Sequence, residues 1–305
     1  MSPEGKPSLD AKADSQSAKA TASCATPDPG SSSAGRGAGA TSLRSFRISP
    51  GWLFISPWLV GFLLFSALPF LGSLYLSFCR YDILSPPQWV GLTNYRQLFF
   101  HDPLFLKALY NTLYYTVFAL PLSIVAGIVL ALLLNTNVRG ISVYRTIFFL
   151  PSIVPLVAST ILWIWILNPK IGLINTLLAQ FGISGPPWLA SAGWSKPSLI
   201  LMSVWGVGGS MIIYLAGLKD IPETLYEAAL VDGANRWHQM IHITIPMLTP
   251  VIFFNLVMGL IGSFQYFSQA YIMTLGGPAD STLFYCLYLF NRAFSYLNMG
   301  YASAM

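Results

Sequence analysis

Charge is what this chain has least of. Of its 305 residues only 9% are Asp, Glu, Lys or Arg, 54% are hydrophobic, and the mean hydropathy is +0.61. A soluble domain carries about 25% charged residues. At the density found here a water-exposed surface could not be covered, so the implied solvent is a bilayer. Cysteine is scarce as well. The three present, Cys24, Cys79 and Cys286, form neither a CxxC pair nor a metal spacing. No apolar stretch precedes Cys24, which excludes a lipoprotein cleavage site there. No Gly-x-x-x-x-Gly-Lys-Ser/Thr occurs, so the chain has no phosphate-cradling loop of its own. His101, His238 and His242 belong to no catalytic or metal-binding constellation and read as surface polar groups. The net charge of +5 is not a nucleic-acid footprint, because six of the sixteen basic residues lie before position 48 and the rest are scattered.

What remains is organised in long runs. Residues 1–48 are rich in Ser, Ala, Gly, Pro and Thr and bury too little apolar surface to offset their chain entropy, so they read as a disordered tail. They lack the apolar core of a signal peptide. Residues 49–305 form the membrane domain. A helix needs about 20 mainly apolar residues to cross the hydrocarbon core. Charge is absent from Trp52 to Phe78, Ala108 to Val138, Thr146 to Pro169, Pro197 to Leu218, and Leu248 to about Thr274. These are five expected spans. Prolines inside them, such as Pro57, Pro69, Pro121 and Pro155, are tolerated where neighbouring helices satisfy the freed carbonyls. The predicted fold class is all-α, a polytopic transmembrane helix bundle. Ser281 to Leu297 reads as a short interfacial segment.

The connecting segments alternate in charge. Lys6, Lys12, Lys19, Arg36, Arg44 and Arg47 precede the first span, Arg139 and Arg145 flank the second turn, and Lys219 and Arg236 bracket the fourth connection. By the positive-inside rule the N-terminus and residues 219–247 face the cytoplasm.

That fourth connection stands out. Four of the chain's eleven acids fall between Asp220 and Asp232. Pro222 and Glu223 suit a helix start, Gly233 a left-handed helix end, and Asn235 the cap of a second short helix to about His242. Residue chemistry alone leaves two readings open: an amphipathic loop on the headgroups, or a docking element. In the fifth span Asn255, Gly259, Gly262, Tyr266 and Gln269 step by four and three, along one helical seam, with Gln265 beside it. Polar groups within spans mark either helix packing or a pathway. Asn255 reads as packing, while Gln265, Tyr266 and Gln269 fit either role. Gly206, Gly208 and Gly209 read as sites of close packing or bending.

Glu227-Ala228-Ala229-x-x-x-Gly233, followed by Ile243-x-Ile245-Pro246, resembles the EAA signature of bacterial ABC importer permeases. Phe149-Leu150-Pro151, Trp163-Ile164-Trp165 and Asn168-Pro169-x-x-Gly172-Leu173-Ile174-Asn175 are similar to the third-span region of carbohydrate permeases. Gly276-Gly277-Pro278 and Gly300-Tyr301-Ala302-Ser303-Ala304 resemble the MalF-like or UgpA-like partner of a permease pair. The resemblance covers roughly residues 50–305 and implies a bacterial inner-membrane subunit that is not an enzyme. Its cargo would be a carbohydrate. Its implied partners are a second homologous permease, two ATP-binding subunits that bind ATP and Mg, an extracytoplasmic sugar-binding protein, and membrane lipid. In that family the island is a coupling helix, a role that would fall on Glu227, Ala228, Ala229, Asp232, Gly233, Ala234 and Pro246. Ile245 replaces the usual leucine. The family's last span would follow Gly300, so the expectation is five complete spans and a truncated sixth. Three alternatives stay open: a secondary transporter or channel, which would need ionisable residues within its spans; a truncated, non-transporting fragment; and glycerol phosphate as cargo.

Overall fold

Prolines and glycines decide where the helices of this bundle run straight and where they break. The computed structural model describes residues 50–136 and 138–305. The expected tail 1–48, and the side of the membrane it occupies, lie outside the described residues.

Three helices are long and apolar enough to cross a membrane: α1 (Gly51–Ser77), α3 (Pro103–Leu134) and α10 (Arg236–Phe264). Short α2 (Thr93–Phe100) precedes α3. Two bent pairs also pass the test when each is taken together. In one, α4 (Ile141–Ile153) and α5 (Leu156–Ile166) meet at 97°; in the other, α7 (Ser195–Trp205) and α8 (Gly208–Lys219) meet at 48°. A short α6 (Leu173–Gln180) lies between the two pairs. α9 (Glu223–Val231) leads into α10, and α11 (Ser268–Met273), α12 (Tyr285–Phe290) and α13 (Met299–Ala304) follow it. The fold class is all-α, interrupted by one two-residue antiparallel ladder in which Cys79 pairs with Trp89. Residues from Ile55 onward form one compact unit.

The breaks have local causes. Pro155 bars the helical conformation at Val154, which sits at φ −64°, ψ 130°. Two π-turns, Leu63–Ala67 in α1 and Met240–Thr244 in α10, end two residues before Pro69 and Pro246. Each absorbs the hydrogen bond that the proline cannot donate. Gly208 lies against the backbone of Phe148 and Phe149, where a Cβ would collide with it. Asp102 caps α3, its Oδ1 accepting from Leu104 N at 3.0 Å and Phe105 N at 3.2 Å.

Several boundaries differ from the sequence reading. The fifth expected span begins at Arg236, twelve residues before Leu248, and stops at Phe264 rather than near Thr274. A hydropathy run marks only the lipid-facing part of a helix, and α10 extends beyond it through polar residues. The run Thr146–Pro169 is broken rather than straight. Ser281–Leu297 does not lie as a separate interfacial helix: Phe284 is fully buried and Tyr288 is 2% exposed, inside the main aromatic core with Tyr115 and Tyr266.

Candidate functional site

The helix breaks meet at one place. A cavity of about 400 Å³ is lined by Pro151, Ser152 and Val154 at the α4–α5 break and by Ser203 and Gly206 at the α7–α8 break. Tyr266 and Gln269, from the segment where α10 gives way to α11, also line it, as does Tyr115 of α3. Unwound backbone at membrane depth is tolerated only where protein or a water-filled cavity satisfies it, and such breaks are where transported solutes bind. A second cavity, of about 350 Å³, lies between α3, α8 and α10 and includes Asn255, Gly259, Gly262 and Ser263. Tyr115, Ser203 and Tyr266 line both cavities. The Tyr115 and Tyr266 rings lie 4.4 Å apart between centroids, and Phe284 closes on Tyr266 edge-on at 5.2 Å. The buried Tyr214 hydroxyl of the second cavity has no hydrogen-bond partner among the described residues.

The predicted seam is therefore split. Asn255, Gly259, Gly262 and Tyr266 do share a cavity, and Asn255 Nδ2 donates to its own helix at Val251 O, 2.9 Å. Gln269 joins Tyr266 in the other cavity. Gln265 lines neither; it is exposed at the end of α10. A single seam needs a continuous helix through position 269, and α10 ends five residues earlier.

At the far end of the bundle, α9 ends in a left-handed turn at Gly233, φ +75°. Ala234 N donates to Ala229 O at 2.8 Å and Gly233 N to Leu230 O at 3.1 Å. This is the paired hydrogen bonding of a Schellman motif. Asn235 then caps α10 by accepting from His238 N at 2.8 Å. Ile221 is buried, and Tyr226 Oη lies 2.9 Å from Thr244 Oγ1, tying α9 to the start of α10. What the turn presents outward is apolar: Leu230 is 63% exposed, Val231 89% and Trp237 69%. Glu223, Glu227 and Asp232 are exposed beside them and make no ion pair among the described residues. A cleft of about 270 Å³ runs between the two helices along Ala229, Asp232, Ala234 and His238. Glu227, Ala228, Ala229, Asp232, Gly233 and Ala234 thus gather around the turn. Pro246 does not join them, because it lies ten residues into α10, about 15 Å along the axis.

One cluster was not anticipated. The buried Asp102 carboxylate accepts hydrogen bonds from the Tyr288 hydroxyl, the Tyr301 hydroxyl at 2.5 Å and Arg292 Nη2 at 3.1 Å. Burial pushes this carboxyl up, but the two tyrosine hydroxyls, the Phe105 N–H and the Arg292 guanidinium outweigh it and hold the group below the usual carboxylate range. Asp102-Pro103 reads locally as a helix cap; its partner 190 residues away has no local signal.

A helical bundle whose broken spans converge on a polar cavity, with a structured turn exposed at one end, is a solute-translocating membrane domain. Residues 123–304 match the family described as binding-protein-dependent transport system inner membrane component, and the chain belongs to that family: it is an ABC importer permease subunit. It is 47% identical to the probable ABC transporter permease protein YesP of Bacillus subtilis, over 84% of each chain. It is 36% identical to the lactose transport system permease protein LacF of Rhizobium radiobacter, over 87% of this chain and 90% of that one. Among solved structures it resembles a chain of the bacterial alginate ABC transporter in complex with alginate pentasaccharide-bound periplasmic protein. The TM-score is 0.73 at 26% identity, covering 84% of this chain and 86% of that one. Membership makes the chain a multi-pass inner-membrane component without catalytic chemistry of its own. It also removes the secondary transporter and channel as classes.

Proposed function

We propose that this chain forms part of the pathway of an ATP-driven importer for a carbohydrate handed over by an extracytoplasmic binding protein. The observation that carries this reading is the cavity at the helix breaks. It offers hydroxyls, an amide and aromatic faces without a formal charge, which is the chemistry that recognises the hydroxyls and ring faces of a sugar. Relatives named for lactose, arabinooligosaccharides and trehalose/maltose support the cargo class. A second homologous permease and two ATP-binding subunits, with their ATP and Mg, complete the assembly. The turn from α9 to α10 is the coupling element, and its exposed Leu230, Val231 and Trp237 are the surface that an ATPase groove would cover.

Tyr266 and Gln269 are the substrate contacts tested first. Tyr266→Phe, which removes the hydroxyl and keeps the buried ring, or Gln269→Ala should weaken uptake at limiting sugar, with the ATPase still co-purifying. Loss of one hydrogen bond costs about 0.5–1.5 kcal/mol, roughly a 2- to 12-fold effect. Uptake kinetics unchanged in both single variants and in the double would leave these side chains a packing role only.

Sidedness is tested by labelling with an impermeant thiol reagent in a cysteine-free background. Cysteine at Val231, 89% exposed, should stay unlabelled in intact cells. Cysteine at the exposed Ser184 should react; neighbouring Gly185 is unsuitable, because a Cβ there meets the Asn175 side chain. Labelling of the Val231 position from outside would reverse the topology.

A further inference from the structure

Lys196 is a cation without a counter-charge among the described residues. It sits at the start of α7, at the end of the bundle opposite the α9–α10 turn, and its side chain is half-buried. Its Nζ donates to Asn111 Oδ1 at 3.0 Å and stands 4.8 Å from the Tyr114 ring centroid and 5.1 Å from that of Tyr110. Asn111 is not free to turn away: it is buried, and its Nδ2 donates to Asp280 O at 2.8 Å and Leu283 O at 3.0 Å. The carboxylate on that same loop, Asp280, is taken by Lys107 at 3.3 Å. No carboxylate among the described residues lies within ion-pairing distance of Lys196.

A partly desolvated ammonium that lacks an anion is costly, and tyrosine faces offset only part of that cost. The surroundings also present a surface. Tyr110 is 60% exposed, and Tyr110, Tyr114 and Phe118 follow one another at one helical turn each along α3, their rings tilted by 45° with centroid separations of 6.3 and 4.7 Å. A cation at the head of an aromatic ladder suits a ligand that carries one negative group on a body with a flat, partly apolar face.

We propose that Lys196, framed by Asn111, Tyr110 and Tyr114, is an oxyanion-binding point at this end of the bundle. The oxyanion comes from one of two sources, the carboxylate of an acidic sugar or the phosphate of an anionic lipid headgroup, one without a cation of its own to balance it. The sugar arm rests on the transport reading above; the anion site itself does not. Binding is read without ATP, uptake or partner subunits, so failure of the transport reading and failure of this site give separate results.

The full chain is placed in nanodiscs of phosphatidylcholine and titrated calorimetrically with trigalacturonate and, as the neutral control, maltotriose. In parallel, native mass spectrometry records phosphatidylglycerol retained from mixed-lipid nanodiscs. In one arm or the other the anionic probe should be preferred about tenfold, and the preference should vanish in Lys196→Gln and persist in Lys196→Arg. Tyr110→Leu, which changes only an exposed ring, should weaken the same probe severalfold. In the unmodified chain the preference should fall severalfold between 0.1 and 0.5 M NaCl, roughly a halving of the screening length; this reading needs no variant to fold. A trigalacturonate preference assigns the sugar source and a phosphatidylglycerol preference the lipid source. Absence of any anion preference in the unmodified chain, or equal preference in Lys196→Gln, overturns the proposal.

Discussion

Gly233→Val should abolish uptake while leaving the subunit in the membrane at normal abundance, and Gly233→Asn should keep most of it. The reason is backbone conformation rather than space. Nothing lies within 4 Å of a Cβ built at Gly233, so no neighbour needs to move. The φ of +75° is the obstacle. A left-handed conformation costs an ordinary residue about 1–2 kcal/mol, and asparagine visits it far more readily; a β-branched residue there is a genuine outlier. A cost of that size lowers the population of the native turn about 5- to 30-fold. With the turn go both bonds of the Schellman motif, Ala234 N to Ala229 O and Gly233 N to Leu230 O. The exposed Leu230, Val231 and Trp237 then no longer share one surface. Uptake of labelled sugar, membrane abundance by immunoblot and co-purified ATPase are the three readings. Glu227→Lys, on an exposed acid that makes no ion pair among the described residues, should lower ATPase retention without touching the turn. Normal transport by Gly233→Val with the ATPase still bound would remove the turn as the coupling element.

This turn was also the most readable part of the chain. Pro222, Gly233 and Asn235 act on their own neighbours, so their positions alone placed the end of α9 and the cap of α10. The charge-free runs located all five apolar segments for the same reason: transfer to lipid depends on composition over a window. Breaks were half readable. Gly206, Gly208 and Gly209 were expected to allow bending or close packing, and they lie at the 48° bend and against Phe148. Pro155 was read as tolerated within a span, yet a 97° turn depends on what packs against both halves. Helix ends in water were misplaced, because α10 starts in polar sequence that hydropathy ignores. Lys196 stands one residue before the charge-free run that begins at Pro197, so composition assigned it to a loop, and only the fold brings it to Tyr110 and Tyr114. The Asp102–Arg292 pair depends on long-range packing entirely.

That pair carries the second large effect, on stability. Asp102→Asn should lower the midpoint of thermal unfolding by about 6–12 °C, on the order of 3 kcal/mol at 2–4 °C per kcal/mol for a domain of this size. The carboxylate does two jobs with its two oxygens. Oδ1 caps α3, and Oδ2 accepts from Tyr288, Tyr301 and Arg292. Asparagine can keep the cap with its carbonyl, but its amide nitrogen then faces the arginine and both hydroxyls. The hydroxyls can rotate to accept; the guanidinium has no such option. Removing one member of a buried pair costs about 3–5 kcal/mol, and the low end applies because the Arg292 side chain keeps 23% of its exposure. Arg292→Gln should cost less, since Tyr288 and Tyr301 still donate to the carboxylate, and the double variant should cost less than the two singles added. Acid should act in the same direction as the asparagine. The carboxyl titrates below its usual value in the folded chain, so its contribution is complete above the unfolded value near 3.9 and is lost as pH falls through the lower folded value. The unmodified chain should therefore lose stability below about pH 4 more steeply than Asp102→Asn, which has no carboxyl there to protonate. An unchanged midpoint in Asp102→Asn at neutral pH, or parallel acid curves for the two proteins, would show that the capping oxygen alone matters and that the ion pair adds nothing measurable.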